Sequence, residues 1–335
     1  MVSQEMQAIR VYQYGGPEEL RLEHAPRPEP RAGEVQIRVV ATGVLPMESK
    51  IRQGLFHSLY PMSFPYIPGS AVAGIVEAVG EGVTSFRTGQ AVFGRSVQGT
   101  YAEYTATAVA PPALKAGVFS LLARRPEALR FAEAATVSGG ATTAWMALFA
   151  DGGLQAGQRV LVHGAAGGVG AYAVQFARWK GAHVIGTAST ANLDFVRSLG
   201  ADTVVDYTAT PFEEVVRDVD LVLDTIGGAT LRRSMDVVKR GGVLVSLLEQ
   251  PPPALAQERG IRAMNNAALP TSELLETIAQ LIVTGQVRAT TGQTFALHQA
   301  QLAHALIQTG HGRGRIVLQV GAEAHSSLKK PIRRC

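Results

Sequence analysis

Residues 160–170 read VLVHGAAGGVG, an apolar run that breaks into glycines, with a helical pattern, AYAVQFARWKG, and a second apolar run, HVIGTA, behind it. Gly167 and Gly168 suit a tight turn and close backbone approach, and Gly170 suits a helix packed closely on a strand. The free N–H groups where the helix begins form a ready site for a pyrophosphate. A glycine trio alone is common in turns. Followed by further strand–helix units, it indicates a dinucleotide. The second strand discriminates between dinucleotides, because an acidic residue at its end accepts from the ribose 2′-OH of NAD. Here that strand ends IGTAST, with Thr187, Ser189 and Thr190 and no acid. Small hydroxyls leave room for a 2′-phosphate and can donate to it, so NADPH is the expected coenzyme. No Arg or Lys follows directly: Asn192 holds the next useful place, and the first arginine is Arg197.

The elements that must position these groups alternate along the chain. Residues 1–125 read as short β-branched strands (MQAIRV, GEVQIRVVATGV, AVAGIVEAV, QAVFGRS) with glycine borders. From 126 to 270 strands alternate with helices: RVLVHG, HVIGTA, DTVVDY, LVLDTIG and GGVLVSLL are strands, and ANLDFVRSLGA and GATLRRSMDVVKRGG are helices. This rhythm implies a doubly wound parallel sheet. PPPALAQERG reads as an interruption and IRAMNNAAL as an edge strand. Within 271–322, TSELLETIAQLIVTGQ and LHQAQLAHALIQTG are amphipathic helices and GRIVLQV a closing strand, expected to return to the first domain. Residues 323–335 read as a basic tail.

The 335 residues are 46% hydrophobic and 17% charged, as expected of a soluble, cytoplasmic globular chain. The N-terminus lacks a signal-peptide pattern and no apolar run reaches the length of a membrane span. The single cysteine, Cys335, excludes a disulfide framework and a cysteine-based structural zinc site. The net charge of +4 resides in the tail: without Lys329, Lys330, Arg333 and Arg334 the 31 basic residues fall to 27, equal to the 27 acidic ones. A neutral body argues against nucleic acid as a partner.

The motifs ATGVLPMESKIRQG, PYIPGSAVAGIVEAVGEGV, GTYAEYTAT, TTAWMAL, VLVHGAAGGVG, SLGADTVVDY, DTIGG and GRIVLQV occur in an order that resembles the quinone oxidoreductase (zeta-crystallin-like), zinc-independent branch of the medium-chain dehydrogenase/reductases. The resemblance implies a Rossmann domain inserted in a GroES-like β-rich catalytic domain. It also implies a cleft between them and a homodimer through an edge strand near 261–269. It faces Thr143 to the pyrophosphate or the nicotinamide ribose, makes Gly164, Ala165, Gly167, Gly168 and Val169 the phosphate loop, and sets Ser189 and Asn192 near the 2′-phosphate with Tyr207 bordering the adenosine. Thr225, Ile226, Gly227, Ser246 and Leu247 fall along the nicotinamide half, and Arg315 stands where relatives usually carry Lys. Zinc-dependent relatives supply Cys and His where this chain has Leu45 and Gly69, which ligate no metal, so no zinc is expected.

Without a Lewis acid, conjugated acceptors are easier substrates than alcohols, and the implied activity is NADPH-dependent hydride transfer to a quinone or an activated C=C. Leu45, Phe56 and Ala71 replace an amide, a phenol and a carboxylate common in relatives. Lys50 and Tyr60 are the candidate proton donors in their place, and water is the alternative. The same losses leave open a second reading, a nucleotide-binding but non-redox isomerase or cyclase of natural-product metabolism.

Overall fold

The computed structural model describes residues 4–59, 61–109 and 119–322. Tyr60 and the basic tail, Cys335 included, lie outside the described residues.

The strand–helix alternation builds a six-stranded, wholly parallel sheet from β8 (Arg159–Val162), β9 (His183–Ala188), β10 (Thr203–Asp206), β11 (Val219–Asp224), β12 (Val238–Ser246) and β13 (Arg262–Asn265). Its spatial order is β10-β9-β8-β11-β12-β13, the doubly wound arrangement, with the switch point between β8 and β11. β13 forms one edge, as IRAMNNAAL predicts.

Two expectations within this half are corrected. The helix read over GATLRRSMDVVKRGG spans only Gly228–Ser234, and β12 begins at Val238, because buried Val237 and Val238 belong to the sheet's lower core. PPPALAQERG does not interrupt: Pro253–Arg259 is a helix, with proline at its first turn, where the missing N–H costs nothing, and Gly260 closing it in the left-handed region.

The N-terminal half forms a seven-stranded sheet of β3 (Glu34–Gly43), β4 (Ala71–Val79), β5 (Ala91–Arg95), β6 (Tyr104–Ala108) and β7 (Leu121–Arg124), completed by β14 (Thr291–Ala296) and β15 (Arg315–Gln319). β1 (Glu5–Arg10) and β2 (Arg21–Pro26) pair beside it. β15 is GRIVLQV and runs antiparallel to β3. β14, within TTGQTFA, escaped the sequence reading: its alternation is polar on both faces, and only pairing with β15 makes it a strand.

The helix Ser272–Val283, capped by Thr271 Oγ1 accepting from Leu274 N at 3.2 Å, buries Leu275, Ile278 and Ala279 in a core that runs from Phe93 of β5 to Val160 and Val162 of β8. One continuous apolar mass therefore fixes the two sheets against each other. Their adjoining ends define the site.

Candidate active site

His163 follows β8 with its ring fully buried. Ser234 Oγ donates to Thr230 O at 2.7 Å, so it accepts from His163 Nε2 at 2.9 Å, and Nδ1 then accepts from Thr187 Oγ1 at 3.1 Å. Burial pushes the His163 pKa down from 6.5 to about 3, which keeps the ring neutral. The ring thereby ties β8 to β9 and to the Gly228 helix. It also spends the Thr187 hydroxyl. Thr190 is spent as well, donating to Asp206 Oδ2 at 2.6 Å, so of the three hydroxyls at the end of β9 only Ser189 remains disposable.

The glycines divide their work differently from the sequence reading. Gly164, not Gly167 or Gly168, takes the left-handed turn, at φ +63°, directly beneath Thr225, whose Oγ1 donates to His163 O at 2.8 Å. A Cβ on Gly170 would lie 2.2 Å from Gly164 O, so helix Gly170–Lys180 starts in contact with the loop that precedes it. Ala165 N donates to Thr187 O at 3.0 Å and anchors the loop to β9. The N–H groups of Val169 and Gly170 have no acceptor among the described residues.

Arg315, at the start of β15, lies under this loop and is 3% exposed. Its Nη2 donates to Gly139 O at 2.7 Å and its Nη1 reaches Val44 O at 3.4 Å, while its buried Nε has no partner. A Cβ on Gly168 would meet the guanidinium carbon at 2.9 Å, so glycine there is what lets the arginine in. A Cβ on Gly140 would lie 3.0 Å from Gly168 O and 3.2 Å from Arg315 Nη2, and half-buried Thr143 stands on the first turn of the helix that follows. The result is a cradle of uncommitted N–H donors and one buried cation, fitted to a diphosphate.

Across the switch point, the Asp224 carboxylate organises the far wall. It accepts from Ile226 N and Gly227 N, both at 3.0 Å, and from Ser246 Oγ at 2.9 Å. This brings Thr225, Ile226 and Gly227 beside Ser246 and Leu247, but commits the Ser246 hydroxyl to the protein. Asp224 itself was missed as a positioning residue. Its signal was DTIGG, an acid at a strand end followed by a turn.

Asn192 and Ser189 meet at the end of β9, where Asn192 Nδ2 donates to Ser189 Oγ at 3.2 Å. Tyr207, 49% exposed, stands at the end of neighbouring β10. Arg197 is paired with Asp194 at 2.8 Å, and the cation that reaches Asn192 is Arg313, donating from Nε to Asn192 Oδ1 at 2.6 Å. No local pattern marks Arg313, because it is 121 residues away in sequence.

On the catalytic side Leu45 is buried and presses on Gly139: a Cβ there would lie 2.3 Å from Leu45 Cδ2. Behind it, helix Pro46–Arg52 carries Glu48, which accepts from Leu45 N, Ser70 Oγ and Tyr101 OH at 2.9, 2.9 and 2.8 Å. Burial raises the Glu48 pKa, and those three donors oppose the rise. Tyr101 OH in turn lies 3.2 Å from His304 Nε2, and Arg52 Nε donates to His304 Nδ1 at 3.4 Å. This polar network is closed on itself. Lys50, on the same helix, is half-exposed, and its ammonium has no partner among the described residues. Ala71 is buried, and Phe56 is half-buried in the turn after the helix. No group of three or more His, Cys, Asp or Glu side chains converges as metal ligands among the described residues.

A parallel sheet with a glycine-rich cradle at its switch point, joined to a GroES-like sheet, defines a nicotinamide-dinucleotide oxidoreductase of the medium-chain type. Residues 31–128 match the alcohol dehydrogenase GroES-like domain and residues 199–318 match a family described as zinc-binding dehydrogenase. The quinone oxidoreductase of Mus musculus is 34% identical over 93% of this chain and 97% of its own. The NADPH-dependent alkenal/one oxidoreductase (chloroplastic) of Arabidopsis thaliana is 32% identical over 95% of this chain and 80% of its own. The structure of the quinone oxidoreductase from Coxiella burnetii superposes with a TM-score of 0.85 at 30% identity, covering 95% of this chain and all of that one. The chain belongs to the quinone oxidoreductase branch of the medium-chain dehydrogenase/reductases.

Proposed function

We propose that the protein uses NADPH to reduce a quinone or an activated C=C, without a metal. The observation that carries this reading is the meeting of two unlike surfaces at Gly139. On one side stands the donor cradle with Arg315, and on the other Leu45, where zinc-dependent relatives place a ligand.

NADPH supplies the hydride, from nicotinamide C4. Gly164–Gly170 and Arg315 bind and orient its diphosphate, Thr143 borders it, and the Thr225–Gly227 and Ser246–Leu247 turns hold the nicotinamide half. The apolar Leu45 and Ala71 offer no Lewis acid, so negative charge must collect on a substrate oxygen conjugated to the accepting carbon or ring. Two relatives bear names consistent with such acceptors, quinone and alkenal/one. With Glu48 sealed inside its network, solvent delivers the final proton. The open edge of β13 fits a homodimer joined there. No helix among the described residues is long and apolar enough to cross a membrane.

The test is coenzyme oxidation followed by absorbance against quinones, enones and enoyl thioesters, with NADH alongside. The expected outcome is electrophile-dependent NADPH consumption, with Lys50→Met keeping kcat within about twofold, as befits a solvated side chain. NADPH binding with product formation but no nicotinamide oxidation would replace this reading with the isomerase or cyclase one.

A further inference from the structure

The end of β9 holds a polar chain that crosses between the two halves of the molecule. Arg313, from the segment leading into β15, donates through Nε to Asn192 Oδ1 at 2.6 Å and through Nη2 to Ala191 O, with its guanidinium 5.7 Å from the Phe195 ring centroid. Asn192 passes the chain to Ser189. Ser189 Oγ acts only as an acceptor here, so its own proton is free to donate, and Arg313 Nη1 has no acceptor among the described residues.

We propose that Arg313 is the residue that selects NADPH over NADH, by pairing with the ribose 2′-phosphate together with Ser189. The proposal rests on the NADPH reading above and supplies the cation that the sequence around β9 lacks. The local charges support it. Arg197 is spent on Asp194, and Asp206 brings a carboxylate to the neighbouring strand end. That carboxylate is held by Thr190 and Thr208, each at 2.6 Å, and these hydrogen bonds keep its pKa below the ordinary value, so it stays ionised. Without Arg313 the full charge beside Thr190 would be negative, which disfavours a phosphate. With it, a planar guanidinium presents a free edge, the geometry suited to phosphate oxygens.

The mounting of Arg313 is rigid at its base. The next residue, Gly314, donates its N–H to Ala166 O at 2.8 Å, and the one after is Arg315 beneath Gly168. Three consecutive residues thus span the track from the adenosine end to the diphosphate cradle. Coenzyme choice is delivered by the return segment of the catalytic half, not by the Rossmann half that carries the fingerprint.

The test is calorimetric binding to the full chain of NADPH, NADH, 2′,5′-ADP and 5′-AMP, for the natural protein, Arg313→Gln and Arg313→Lys. Arg313→Gln is expected to weaken NADPH and 2′,5′-ADP by roughly ten- to a hundredfold, the scale of a charge-assisted hydrogen-bonded pair. NADH and 5′-AMP should stay within about twofold, and Arg313→Lys should restore part of the loss. A preference for NADPH that survives Arg313→Gln overturns this assignment and leaves the coenzyme reading intact. An equal loss for NADH and 5′-AMP also overturns it, since it marks a structural role. A natural protein that binds NADPH no tighter than NADH overturns both.

Discussion

The two ends of the site treat polar groups in opposite ways. Around the glycine loop, donors are left uncommitted: Val169 N, Gly170 N and Arg315 Nε all lack acceptors. Around Leu45, the polar groups of Glu48, Tyr101, His304 and Arg52 are consumed by one another, and the surface toward the loop is apolar. Unsatisfied buried donors cost free energy, so a fold retains them where a ligand will complete them. A closed network presents nothing to a ligand and serves to hold a helix in place. The first region leaves donors for an anion to complete, while the second spends its polar groups on holding its helix in place. On the function proposed above the hydride comes from the coenzyme, and little more is needed from the catalytic half.

The sharpest way to break this contrast is to fill the loop. Gly170→Val places carbon against Gly164 O and Ala165 Cα, where even a Cβ would lie at 2.2 and 2.8 Å. Dinucleotide affinity should fall by more than about a hundredfold, and stability by about 3 kcal/mol as overpacking displaces the helix start. Titration of coenzyme fluorescence and urea unfolding measure the two effects; an unchanged affinity would show that the loop is not the cradle.

Glu48→Ala should do the reverse. Leu45 N, Ser70 Oγ and Tyr101 OH lose their acceptor, at a cost of about 2–3 kcal/mol, while affinity for the dinucleotide stays within about threefold. An affinity loss matching that of the loop variant would mean that the two regions are not separable.

The smallest effect is a pH slope. His163 and His304, one in each half, are pushed by burial from 6.5 to about 3. The unfolded chain therefore takes up protons below pH 6.5 that the folded one refuses. The stabilisation, complete above 6.5, is lost as pH falls toward 3, by about 1.4 kcal/mol per pH unit for each histidine. Glu48, whose pKa burial raises, offsets part of this in the catalytic half, because on falling pH the folded chain takes up that proton before the unfolded one does. Urea unfolding at pH 6.0 and 5.0 should show His163→Asn with a slope shallower by about 1 kcal/mol per unit. An unaltered slope would mean that the His163 ring is reached by protons in the folded state.

Much of this molecule is read directly from residue order. The parallel sheet follows from RVLVHG, HVIGTA, DTVVDY and LVLDTIG separated by helices, and the loop from glycines at a turn where a side chain on Gly170 would collide with the backbone. Such features are local: their physics acts between residues a few positions apart, so composition and spacing contain it. The tight turn expected at Gly167 and Gly168 falls instead at Gly164, the left-handed residue, which packs against Thr225 from the turn after β11.

What lies across the sheet or between the halves was decided by the tertiary structure alone. β14 is a strand because β15 pairs with it. Thr187 and Ser246 lose their hydroxyls to His163 and Asp224. Arg313 comes to Asn192 because β15 pairs with β3 and Gly314 bonds to Ala166, contacts between residues far apart in the chain. The residue types determined a dinucleotide fold with apolar Leu45 and Ala71 in its catalytic half. Chain closure over long distances, which no local spacing encodes, decided which charge meets which polar group.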